Sequence, residues 1–117
     1  MSDYKELIVW QKSIVLAKEI YMICKSFPRD EIYGLTSQMK RSVISIPSNI
    51  AEGSCRSTKK DFAHFISIAS GSAAELETQV FLADELNFID CSKSLNTQII
   101  EIRKMLTSLR KSLVNPL

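Results

Sequence analysis

The side chains able to do covalent or metal chemistry in this chain are few, and their spacing does not assemble a reaction centre. The single histidine, His64, follows Asp61 by three positions. Di-iron helical bundles need two Glu-x-x-His motifs, so a dinuclear site of that type is excluded. Cys24, Cys55 and Cys91 are separated by helix-length segments, and a tetrahedral metal requires its thiolates together. A nucleophile needs a base within hydrogen-bond reach, yet the offset of His64 from Phe62 and Phe65 turns it to the outer side of its helix. The three glycines fit neither a phosphate loop nor a dinucleotide fingerprint. No catalytic residue, metal ligand or cofactor is assigned, and the chain is expected not to be an enzyme.

What remains is the chemistry of charge and of uncharged polar groups. A ladder of Gln38, Ser42, Ser45 and Asn49 runs beside an apolar stripe, where an ordinary solvent-facing helix would carry Lys and Glu. Arg41 and Glu75 fall at heights that let them face each other across two helices, with Gln38, Ser45, Asn49, Glu52, Ser72 and Gln79 on the same seam. A buried ion pair of this kind is costly unless fully hydrogen-bonded, and its best-attested use is to fix register. A ligand pocket is the alternative reading of the seam.

The elements that position these groups follow from periodicity. A chain of 117 residues, 45% hydrophobic and with three glycines and three prolines, suits one compact all-α domain. Leu7, Trp10, Ile14, Ala17, Tyr21 and Cys24 predict an inward face for a helix over 5–26. A second helix over 31–53 follows Pro28, with Asp30 as acceptor for its first N–H groups, Ile32, Leu35, Met39, Val43, Ile46 and Ile50 inward, and Gly53 as a left-handed cap. Thr58 and Asp61 form a capping box for a third helix over 58–87, whose inward line runs Phe62, Phe65, Ile66, Ala69, Ala73, Leu76, Val80 and Ala83. Ser92 or Asp90 caps a fourth over 92–114, where Leu95, Ile99, Ile102, Leu106, Leu109 and Leu113 repeat at four and three, and Pro116 lies beyond its end. Short connections make neighbours antiparallel, giving an up-down-up-down four-helix bundle. Pro47 sits inside the second helix, where it removes the bond to the Val43 carbonyl and predicts a kink, with nearby hydroxyls and Asn49 as compensating donors.

Laying the helices antiparallel separates charge by end. One end gathers Lys5, Arg56, Lys59, Lys60, Arg110 and Lys111 against Asp3, Glu6, Glu52 and Asp61, and is net positive; the other is net negative. The overall charge of +2 is small, so any nucleic-acid contact must be local. With no aromatic platform among these basic residues, binding would read phosphates and not bases. The outer face of the third helix, Ala63, Ser67, Gly71, Ala74, Thr78, Phe81 and Leu82, lacks Lys and Arg, and is expected to meet another subunit. Odd cysteine usage and the absence of an 18-residue apolar run or signal-peptide core predict a cytoplasmic protein with no membrane contact.

Trp10, the segment FPRDEIYGLTSQMKRS, SIPSNIAEG, Arg56 with Ser57, Asp61 with Phe62, Phe65, and GSAAELETQ from Gly71 to Gln79 occur in the order seen in a known family. On these residues the chain resembles the four-helix bundle proteins encoded in intervening sequences of bacterial 23S rRNA genes, over nearly all its length except the last helix. The resemblance implies a homopentamer with no established enzymatic activity. The accessory variability proteins of diversity-generating retroelements look similar in fold, and they are nucleic-acid-binding partners of a reverse transcriptase. The expected function is therefore a homo-oligomeric bundle that contacts RNA or DNA through its basic end; the alternative is a protein-binding scaffold without nucleic-acid contact.

Overall fold

A computed structural model describes residues 3–115, so Pro116 lies outside the described residues. Its helices are α1 (Ile8–Cys24), α2 (Leu35–Ser54), α3 (Lys59–Glu85) and α4 (Ser92–Val114), preceded by one 3-10 turn at Tyr4–Glu6 and interrupted by another at Arg29–Glu31. Each packs on the next and α4 returns to α1, while the diagonal pairs stay apart. The result is the expected all-α, antiparallel up-down-up-down bundle, about 47 Å long and 22 by 20 Å across.

The core is a single cluster fed by all four helices, with Leu16, Ile20, Met39, Ile46, Ile66, Leu76, Ile99 and Leu106 at its centre. The predicted stripe of α2 holds from Leu35 to Ile50, but Ile32 lies outside the helix and is half exposed. In α1 the buried line is Val9, Ser13, Leu16, Ile20 and Cys24, one residue round from the stripe expected. Leu7, Trp10 and Ala17 pack against the margin of the core, and Tyr21 is exposed. Ser13 hides the true stripe in the sequence; its hydroxyl is satisfied by donating to the Trp10 carbonyl at 2.7 Å, which removes the cost of burying it.

Helix ends differ from expectation in three places. At the start of α2 the acceptor is Glu31, not Asp30: its Oε1 takes the N–H of Leu35 at 3.1 Å. Cys91, without a side-chain bond, precedes α4 where Ser92 or Asp90 was expected. Gly53 is no left-handed cap, because no glycine has positive φ and α2 continues through it to Ser54. Among the described residues the one left-handed residue is Asn87, φ 60°, just past α3, where the N–H of Phe88 reaches back to the Ala83 carbonyl and that of Asn87 to Asp84. This is the Schellman closure of a helix. At the other end of α3, Thr58 Oγ1 accepts the N–H of Asp61 at 3.0 Å, as predicted.

α2 runs through the buried Pro47 as one helix. Asn49 does not compensate the Val43 carbonyl; its amide donates to the Ser45 carbonyl at 2.8 Å and to Ser45 Oγ at 2.9 Å.

Candidate nucleic-acid interface

The antiparallel order brings the N-terminal turn, the α2–α3 connection and the last turns of α4 to one end of the bundle. That places Lys5, Arg56, Lys59, Lys60, Arg110 and Lys111 together, and all six are exposed. The turn carrying Lys5 is pinned from both sides: Asp3 accepts the Lys5 N–H at 2.9 Å, and Gln11 donates to the Lys5 carbonyl at 2.8 Å. Arg56 is held over the Phe65 ring, 4.7 Å from its centroid, and pairs loosely with Glu52 at 3.4 Å. Arg110 donates to Ser67 Oγ at 2.8 Å, stitching α4 to α3. Lys59 and Lys60 open α3, where the helix dipole disfavours cations by a few tenths of a kcal/mol or more. Lys111 sits in the last turn of α4, where the dipole favours it.

The polar ladder is only partly what the sequence predicts. Ser72 Oγ donates to Ser45 Oγ at 2.7 Å, and Asn49 converges on the same oxygen, so a three-residue network does join α2 to α3. Arg41 and Glu75 are not a buried pair: both are exposed, and among the described residues the ion pairs are Lys12–Glu101, Arg56–Glu52 and Arg103–Glu77. Solvation at the rim leaves no reason for Arg41 and Glu75 to lock together. With Gln38 they line an open recess of about 260 Å³ above the serines. Gln79, further along, buries its Oε1 without a partner.

Of the outer α3 residues, Ala63 is buried in its own bundle, a correction to its place on the outer face. Ser67 is engaged by Arg110, and Thr78 folds back to the Ala74 carbonyl at 3.1 Å. Gly71 stands in open space, and Phe81 and Leu82 are 63% and 47% exposed. His64, on the outer side as predicted, meets the edge of the Phe65 ring at 5.7 Å.

Sequence reasoning missed a groove of about 810 Å³ on the outer face of α2, lined by Tyr21, Ile32, Tyr33, Lys40, Arg41 and Ile44. Tyr33 is 96% exposed, and Lys40 lies over the Tyr21 ring at 4.9 Å. The available signal was Ile44, an apolar residue opposite the buried stripe of its own helix. Cys24, Cys55 and Cys91 are free thiols, and burial pushes the Cys24 thiol up against a smaller opposing pull from Lys40. Among the described residues, no helix is long and apolar enough to cross a membrane.

Residues 5–108 match the family described as 23S rRNA-intervening sequence protein. The chain belongs to that family. A crystal structure of a protein of unknown function from the S23 ribosomal protein family of Bacteroides thetaiotaomicron is similar, with 29% identity, a TM-score of 0.82, and coverage of 89% of this chain and 96% of that one. No curated protein matches the sequence.

Proposed function

We propose that this chain is a non-enzymatic, homo-oligomeric bundle that associates with structured RNA, or another polyanionic nucleic acid, through its basic end. The observation carrying this reading is the convergence of six exposed basic side chains from three separate segments against four acidic ones. Two of the six, Lys59 and Lys60, stand where the helix dipole opposes them, so helix stability does not account for their placement. Repetition of that end around a ring multiplies its positive potential, and a phosphate backbone is the polyanion it suits. The family's name sets these proteins beside ribosomal RNA genes, which favours RNA as the first ligand to try.

A protein-binding scaffold is the second reading, favoured by the apolar groove around Tyr33. Titrations with RNA and with DNA at two salt concentrations separate the two. Phosphate contacts weaken steeply as salt rises, and the Lys59→Glu, Lys60→Glu double variant should weaken binding further and flatten the salt slope by about two. Affinity indifferent to both salt and charge reversal would exclude the basic end as the contact.

A further inference from the structure

The positive charge of this molecule is concentrated on one helix. α4 holds Lys93, Arg103, Lys104, Arg110 and Lys111 against a single acid, Glu101, and since the whole chain carries only +2, everything outside α4 is net negative. Arg110 and Lys111 belong to the basic end described above. The other three do not.

Lys93, Thr97, Ile100, Lys104, Thr107 and Lys111 each stand two residues before a member of the inward leucine and isoleucine line of α4. Two residues turn a helix by about 200°, so these six form a stripe pointing directly away from the core. All six are exposed. A solvated helix face normally interleaves both signs, often as Glu and Lys four residues apart. No acid stands four residues from any lysine of this stripe. Glu101, three residues from Lys104, is drawn to Lys12 of α1 at 3.2 Å, and Arg103 is neutralised by Glu77 of α3 at 2.6 Å. The stripe is left with one sign.

We infer that a nucleic-acid duplex lies lengthwise along α4, with its phosphates on Lys111, Lys104 and Lys93, so that the basic end is the start of a longer track. This rests on the nucleic-acid reading above and extends it from the end of the bundle to one side. Lys93 and Lys111 are eighteen residues apart, about 27 Å along the helix, which spans about eight base pairs at about 3.4 Å each. Between them a shallow depression of about 340 Å³, lined by Ile100, Arg103, Lys104 and Thr107, gives the backbone room to approach. The Thr107 hydroxyl adds a donor of the kind that contacts phosphate oxygens.

The test is a titration of the full chain with two RNA hairpins that share a loop and have stems of four and twelve base pairs, at two salt concentrations. A contact confined to the end serves both stems alike, whereas a lengthwise track needs the long one. Wild type should bind the long stem about tenfold or more tightly than the short one. The Lys93→Glu, Lys104→Glu double variant should remove most of that advantage and lower the salt slope on the long stem by about two, while the short stem is little affected. Circular dichroism melts establish that the variant bundle is intact, and light scattering gives its mass. If neither stem binds wild type, the nucleic-acid reading itself fails. If both stems bind equally, or if the long stem ignores Lys93→Glu, Lys104→Glu yet is weakened by Lys59→Glu, Lys60→Glu, the contact is confined to the basic end and the track is wrong. If the α4 double variant changes the protein's mass and leaves RNA affinity unaltered, the stripe is a contact between subunits, which overturns the track as well.

Discussion

Gly53 and Phe65 approach so closely that a methyl group on Gly53 would lie 2.7 Å from the Phe65 Cβ, and 2.9 Å from a ring carbon of Phe62. The glycine that looked like a helix terminator is instead the point where α2 and α3 touch. It lets the two helices converge just before the connection that carries the basic residues.

Gly53→Ala should therefore destabilise the protein by about 1–3 kcal/mol, because a Cβ contact with backbone-proximal atoms can be relieved only by moving a helix. Helix propensity alone argues the other way, favouring alanine by about 1 kcal/mol. Urea denaturation decides between them, and a stabilised variant would show that the helices part without cost.

Pro47→Ala sets two effects of opposite sign against each other. Restoring the N–H toward the Val43 carbonyl and relieving the ring recovers up to about 3 kcal/mol. Losing two buried methylene-sized groups gives back about 1.6 kcal/mol. A net gain near 1 kcal/mol is expected from thermal unfolding; a loss would mean that the ring's packing outweighs its cost to the helix.

The Ser45–Ser72 bond should show coupling. Each single alanine variant leaves a polar partner short of a bond in a half-buried seam, so a double-mutant cycle should return about 0.5–1.5 kcal/mol. Coupling near zero would mean that water serves each serine as well as the other does.

Cys24 should impose a falling limb on stability at alkaline pH. Its folded thiol titrates above the ordinary value of 9.0 because burial disfavours the thiolate. Folding thus retains the proton more tightly than the unfolded chain does, and the stability it contributes is full below about pH 9 and lost as pH rises toward the folded value. Denaturation of wild type and Cys24→Ala across that range should differ in slope. Maleimide labelling of the native protein should reach the exposed Cys55 well before Cys24.

Much of the bundle could be read from spacing. α4 spans 92–114 as predicted, since its leucines and isoleucines leave one admissible face, and the core stripes of α2 from Leu35 and of α3 from Ile66 follow for the same reason, whereas Phe62 and Phe65, expected inward, are only partly buried. α1 was ambiguous because Ile8, Val15 and Met22 remain exposed on its outside while Ser13 goes in. Apolar residues on every side give no phase, and a serine bonded to its own helix is invisible to a hydropathy count. The clustering of basic residues followed from topology. The Arg56–Phe65 stack and the Tyr33 groove did not, because they depend on side-chain directions at helix ends and in a turn.

α2 and α3 grip each other most extensively, whereas α1 meets α4 most thinly of the four neighbouring pairs. The hairpin of α2 and α3 is thus the keel of the molecule, and α1 is expected to open as a shutter hinged along α2. Amide protons of α1 should exchange with solvent through partial openings that leave the keel intact. Each such opening uncovers the core from the side opposite α3, so the chain needs its loosest seam closed before its greasy interior is safe from neighbours.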